Sequence, residues 1–71
     1  MDKHRWFARR RQEWISEMLR VYGFIQRGHL ERMFGISTPQ ASNDLKQFMQ
    51  DNPRAMTYDG SRKAYVATQA G

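Results

Sequence analysis

Between Ser37 and Gln47 the sequence gathers side chains that donate and accept hydrogen bonds while carrying little charge: Thr38, Gln40, Ser42, Asn43, Lys46 and Gln47. Among them sit Ala41, Leu45 and Phe48, spaced i, i+4 and i+7 as on one apolar helix face. A helix that buries those three turns the polar six outward. The amides of Asn and Gln match the donor and acceptor edge of adenine, and Ser and Thr hydroxyls serve several bases or a phosphate. A face that meets only water is more often built from Glu and Lys. The set is therefore a candidate surface for base edges of double-stranded DNA, led by Gln40, Asn43 and Lys46. Asp44 interrupts it and has three open readings. It repels phosphate, orients a basic neighbour, or accepts from a cytosine amino group.

These side chains need a helix with a defined start. Ser37 can cap it, Gln40 three residues on completes a capping box, and Pro39 suits the first turn. The capped end can also meet a phosphate. Asn52-Pro53 closes the helix. Upstream, Leu30, Met33 and Phe34 predict a short helix over His29–Phe34, stopped by Gly35, with Ile36 packing back on it. The three-residue link Gly35-Ile36-Ser37 has helix-turn-helix spacing. A longer first helix from about Arg5 to Tyr22 carries Trp14, Ile15, Met18, Leu19 and Tyr22 on one face and stops at Gly23. Trp6 and Phe7 either extend it or pack on another chain. Phe24-Ile25-Gln26-Arg27 is too short to assign, a small strand pairing with a later hairpin being one option.

That hairpin is expected from Ala55–Tyr58 and Lys63–Ala67, with Asp59-Gly60 as the turn signal. A turn centred on Gly60-Ser61 sets Met56 opposite Tyr65 and Tyr58 opposite Lys63. The expected fold is mainly α with a small β-hairpin, a winged helix-turn-helix of three helices plus wing, as one domain over residues 1–71. The wing tip offers Ser61, Arg62 and Lys63 to phosphates or the minor groove. Arg27 and Arg32 flank the second helix and can grip the backbone. Arg9, Arg10 and Arg11 either reach DNA or form a solvated face.

Composition agrees with a polyanionic partner. Twelve Lys or Arg face seven Asp or Glu, a formal net charge of +5 in 71 residues. A hydrophobic share of 39% is too high for a disordered tail. There is no Cys, which excludes disulfides and thiolate metal sites and fits a cytoplasmic setting. No apolar run is long enough for a transmembrane helix, and the charged start Met1-Asp2-Lys3-His4-Arg5 lacks the apolar stretch of a signal peptide. His4 and His29 are distant, and no glycine-rich phosphate loop or nucleophile elbow occurs. The expectation is a domain with no catalytic activity, cofactor or small-molecule site.

The stretch Phe34-Gly35-Ile36-Ser37-Thr38-Pro39-Gln40-Ala41-Ser42-Asn43-Asp44-Leu45 resembles the corresponding segment of bacterial WYL-domain transcriptional regulators, the BrxR- and CapW-like repressors of anti-phage defence loci. Asn52-Pro53 and Tyr58-Asp59-Gly60-Ser61-Arg62-Lys63-Ala64-Tyr65 are similar to the same group, and Trp6 and Gly23–Leu30 more loosely so. The resemblance covers roughly Trp6 to Thr68. It implies a winged helix-turn-helix that binds operator DNA as a dimer, usually to repress. It places Ser37, Thr38, Gln40, Ser42 and Asn43 at the DNA-facing start of the recognition helix. Regulators of this group also carry a C-terminal WYL portion, thought to sense a ligand and aid dimerisation. This chain ends after the wing, as an excised N-terminal domain or a naturally short relative, so sensing is not assigned to these residues. Gly28 and His29 stand where the group usually has an Asn/Asp-type helix start. The alternative function is a protein-interaction module on the same scaffold, using Trp6, Phe7 and Trp14. A third is RNA binding, which competition between duplex DNA and RNA separates.

Overall fold

A computed structural model describes residues 3–68 of the chain. Three helices, α1 (Lys3–Tyr22), α2 (Arg27–Phe34) and α3 (Thr38–Asp51), pack with three short strands, β1 (Phe24–Ile25), β2 (Met56–Asp59) and β3 (Ala64–Ala67). This is the winged helix architecture expected from the sequence, with one addition. The wing is the larger part of a three-stranded antiparallel sheet in the order β1-β3-β2. The option of a small strand at Phe24-Ile25 is the one realised: Phe24 pairs with Val66, and Ile25 with Tyr65.

The core joins all these layers. Ile15 and Leu19 of α1, Ile25 of β1, Leu30 of α2, Ala41, Leu45 and Phe48 of α3 and Met56 of β2 form one buried cluster. Each large side chain buried there contributes about 1.5–3 kcal/mol relative to exposure. Trp14, Met18, Phe34, Ile36 and Met49 close the margins. Trp14 meets Phe34 edge to face at 5.6 Å, locking α1 to the end of α2.

Two glycines shape the links. Gly23, at φ +82, donates its N–H to the carbonyls of Leu19 (3.0 Å) and Met18 (3.2 Å) and turns the chain into β1. Gly35 takes the left-handed conformation (φ 63, ψ 37) and its N–H closes on the Glu31 carbonyl at 2.8 Å. A side chain at either position is strained by the positive φ, which is why the tight turn into α3 falls on glycine.

Three local expectations are corrected. α2 begins at Arg27, not His29, because His29 sits inside the first turn and takes the Gln26 N–H on its Nδ1 at 3.1 Å. The His29 N–H returns to the Gln26 carbonyl at 3.0 Å, so the helix has a cap where the sequence showed no ordinary one. At the start of α3, Ser37 Oγ accepts from the Gln40 N–H at 3.2 Å as expected, but the Gln40 side chain donates to Asp44 instead of completing the capping box.

The wing register is the third. Met56 lies opposite Ala67 and Tyr58 opposite Tyr65, two residues from the expected pairing, and Asp59 pairs with Ala64. The cause is the Asp59 carboxylate. Its Oδ1 accepts from the Ser61 N–H (3.0 Å), the Ser61 hydroxyl (2.8 Å) and the Arg62 N–H (3.3 Å). Those bonds build a four-residue tip, Gly60 to Lys63, with Lys63 in the left-handed position at φ 53. A shift of two residues keeps each side chain on its expected face, so Met56 and Ala64 still point inward.

Candidate nucleic-acid interface

The outward side of α3 follows from what it buries. Ala41, Asp44, Leu45 and Phe48 face inward, and Asn43, Lys46 and Gln47 lie exposed along the other side. The Asn43 amide and the Lys46 ammonium have no partner among the described residues. Gln47 donates to Asp51 one turn on, at 2.9 Å. Pro39, whose ring suits the helix start, is also exposed.

Two flanks run beside this strip. On one, Ser42 is half-buried and its Oγ accepts from Arg27 Nη1 at 3.5 Å. Arg27 in turn approaches Glu31 (Nε to Oε2, 3.6 Å), and Glu31 Oε1 accepts the hydroxyl hydrogen of Thr38 at 3.0 Å. Arg27, Glu31 and Ser42 border a groove of about 460 Å³ with the wing on its far side, lined also by Gln26, Tyr58 and Lys63 among others. The groove thus draws one cation from α2 and one from the wing tip to the same side of α3. Tyr58 and Tyr65 stack edge to face across the strands at 4.9 Å and form its floor.

On the other flank, Asp44 is 5% exposed and its carboxylate is gripped by Arg11 of α1, Nε to Oδ2 at 2.6 Å and Nη2 to Oδ1 at 3.3 Å. Gln12 Nε2 donates to the Asp44 backbone carbonyl at 2.8 Å. Gln40 Nε2 adds a bond to Oδ1 at 3.0 Å. Of the three readings open for Asp44, the structure selects orientation of a basic neighbour. Arg11 is correspondingly withdrawn from the Arg9-Arg10-Arg11 run, and Arg10 pairs with Glu13 and lies over the Trp6 ring.

The remaining sequence-derived candidates are dispersed. Ser37 is occupied as the α3 cap. At the wing tip, Arg62 approaches Asp59 at 3.6 Å, Ser61 is bonded to the same carboxylate, and Lys63 is exposed. Arg32 lies back over Gly28 and borders a different groove, with Trp14, Met18, His29 and Met33. It does not join Arg27, Ser42 and Lys63. Sequence reasoning missed Glu31 and Tyr58 as site residues, and it read Arg11 as reaching DNA or as solvated, not as the partner of Asp44. Only the Arg27–Glu31 spacing of four left a local signal. Arg11 and Asp44 stand 33 residues apart, which no periodicity connects.

The titratable groups near the site are shifted in understandable directions. Burial, and then the charge of Arg32, push the His29 imidazole below its ordinary value. The hydrogen bonds from Ser61 and the Arg62 N–H hold the Asp59 carboxyl below the usual carboxylate range. No cluster of three or more His, Cys, Asp or Glu able to hold a metal occurs among the described residues. Nor is any described helix long and apolar enough to cross a membrane.

Comparison with known proteins places this geometry. Over 65 residues the chain is 43% identical to the DNA-binding transcriptional repressor CapW of Escherichia coli (strain KTE188), covering 92% of this chain and 22% of that protein. It is 39% identical over 66 residues to the repressor CapW of Pseudomonas aeruginosa, and 39% identical over 67 residues to that of Stenotrophomonas maltophilia, covering 93% and 94% of this chain. The chain therefore spans 22% of the length of these curated relatives. The pattern of the BrxR transcriptional regulator winged helix-turn-helix domain matches residues 8–70. With that match running from the first helix through the wing, the chain belongs to the BrxR winged helix-turn-helix domain family of transcriptional regulators.

Proposed function

We propose that this chain is the sequence-specific, double-stranded DNA-binding domain of a transcriptional repressor. The observation that carries the reading is a shared surface. The exposed α3 strip of Asn43 and Lys46 adjoins a groove where Arg27, Ser42 and the wing residue Lys63 converge. An α-helix fits the major groove, and amide, hydroxyl and ammonium groups on its outward face reach base edges. Arg27, Lys63 and Arg62 neutralise phosphates and set register, with Ser61 at the wing tip. Ser37 and Thr38 stand at the helix start, the end that enters the groove first in helix-turn-helix proteins. Gln47 and Gln40 extend the reading surface along and beside the strip. Arg32 contributes general basic charge from outside the groove.

The finer reading draws on the relatives' names and on the resemblance. The domain acts as part of a longer regulator that binds operator DNA as a homodimer in the cytoplasm, repressing an anti-phage defence operon. Dimerisation supplies what one winged helix lacks, since two half-sites about one helical turn apart, roughly 34 Å, are engaged together.

The test is fluorescence anisotropy of the domain with random-sequence duplex DNA across a salt series. Log affinity is expected to fall linearly with log salt, by about 0.9 for each phosphate neutralised. An artificially dimerised form run in parallel separates weak monomer binding from none. Absence of binding by both forms would overturn the proposal. One observation favours a second reading, a protein-docking surface. Trp6 and Phe7 are about half exposed, and Phe7 borders a groove with Met33, Phe34 and Ile36. Self-association insensitive to salt, without DNA binding, is its signature.

A further inference from the structure

Both flanks of the first turn of α3 carry the same device. On each, a polar side chain of α3 gives a hydrogen to a carboxylate, and that carboxylate is held by an arginine. Thr38 donates its hydroxyl hydrogen to Glu31 at 3.0 Å, with Arg27 at 3.6 Å from the same carboxylate. Gln40 donates an amide hydrogen to Asp44 at 3.0 Å, with Arg11 bound in two places. A carboxylate offers acceptors only, so neither donor can be reversed while the acid is in place. A hydroxyl whose one hydrogen is taken presents lone pairs alone. An amide whose nitrogen is turned toward Asp44 has its Oε1 turned away, but it keeps a second N–H, so the restriction to acceptors is complete at Thr38 alone.

We propose that Glu31 is a positioning residue that presets the hydrogen-bond polarity of this turn, so that Thr38 offers acceptors alone and the domain selects, at the position Thr38 meets, a base with an exocyclic amino group, adenine or cytosine. This rests on the DNA-binding reading and adds to it a base class. In the major groove only adenine N6 and cytosine N4 donate hydrogens. Guanine offers acceptors at N7 and O6, and thymine at O4, and both leave the preset Thr38 oxygen facing oxygen or nitrogen with no hydrogen between them. The same polarity turns Thr38 away from phosphate, which also only accepts. It gives a reason for an acidic residue, Glu31, on the lining of an otherwise cationic groove.

The experiment is selection of duplexes from a randomised pool by the chain, its Thr38→Val, Gln40→Ala and Glu31→Gln variants, and the Thr38→Val/Glu31→Gln pair. Glu31 is partly exposed, so Glu31→Gln keeps the fold, and circular dichroism verifies it. Gln40→Ala leaves the Arg11–Asp44 pair intact. The position whose preference collapses in Thr38→Val is expected to carry adenine or cytosine for the unaltered chain, whereas the position that responds to Gln40→Ala, met by an amide with a free N–H, carries no such restriction. Because a glutamine amide can donate as well as accept, Glu31→Gln is expected to admit guanine at the Thr38 position. The preference there falls about 5- to 10-fold, the low end for one base contact. In the Thr38→Val background Glu31→Gln should change nothing further at that position; the gain of guanine in the single variant is the outcome that a purely structural tie between α2 and α3 does not predict. Guanine at the Thr38 position for the unaltered chain, or an unchanged preference in Glu31→Gln, would overturn the inference and leave DNA binding standing. Failure to recover any duplex, by the chain and by its artificially dimerised form alike, would overturn both.

Discussion

The two arginine–carboxylate pairs beside α3 look alike in formula and differ in setting. Arg11 and Asp44 have side chains 14% and 7% exposed, whereas Arg27 and Glu31 are 55% and 30% exposed. Water screens the second pair, so its net worth to stability is below about 1 kcal/mol. The first pair has lost its water, and each charge depends on the other, with the carboxylate further bonded by Gln40. One flank is therefore a structural strut between α1 and α3. The other is a solvent-facing arrangement whose importance lies in what it presents to a ligand.

The largest expected effect comes from breaking the strut. Arg11→Met leaves Asp44 buried and uncompensated and should cost about 3–5 kcal/mol, comparable to the whole stability of so small a domain. Denaturant unfolding of the variant measures this directly, and Arg11→Met/Asp44→Leu should recover most of the loss. A cost under about 1 kcal/mol for the single variant would erase the contrast between the flanks. Next, Asn43→Ala, on the strip between them, should leave unfolding unchanged. It should reduce discrimination between a selected and a scrambled duplex by about 1–3 kcal/mol in anisotropy titrations. An unaltered specificity ratio removes Asn43 from the reading surface.

A third test addresses the cap of α2, from which Arg27 and Glu31 project. The His29 imidazole accepts the Gln26 N–H and is held below its ordinary value of 6.5, mainly by burial. The folded state therefore prefers the neutral ring. The associated stability is fully present above pH 6.5, falls as pH drops through the lower folded value, and levels off below it. Thermal melts across that window should show the decline, and His29→Asn should flatten it. A decline of equal size in the variant would assign it to other groups. The smallest effects belong to the exposed side. Glu31→Gln should stay within about 1 kcal/mol of the unaltered chain in unfolding. Arg62→Ala should weaken cognate and scrambled duplexes alike and reduce the salt slope by about one unit. An unchanged slope would remove Arg62 from the phosphate contacts.

Much of the architecture was legible in the residues themselves. Ile15 and Leu19, Leu30, and Ala41, Leu45 and Phe48 repeat at helical spacing, and each set is buried. Gly23 and Gly35 stop the helices they follow, because both need a positive φ. Ser37 caps α3, and Asn43 and Lys46 lie outward because their neighbours at i±2 and i±1 lie inward. The start of α2 was misjudged because a histidine nitrogen took the role of an ordinary cap. Spacing along the chain offers Gln40 the capping box and the reading surface but not its bond to Asp44, because Asp44 is anchored from another helix.

What local spacing settled, then, was the number and order of the helices, the turn between α2 and α3 and the faces they bury. Those depend on 3.6-residue periodicity and on backbone conformations that one residue type adopts readily. Tertiary structure alone decided the wing register, the partner of β1 and the carboxylates to which Thr38 and Gln40 donate. Phe24 finds Val66, and Arg11 finds Asp44, across more than thirty intervening positions. Such pairings arise when packing of the shared core brings distant segments together and water is excluded from the charges they carry. No periodic signal along the chain records either event.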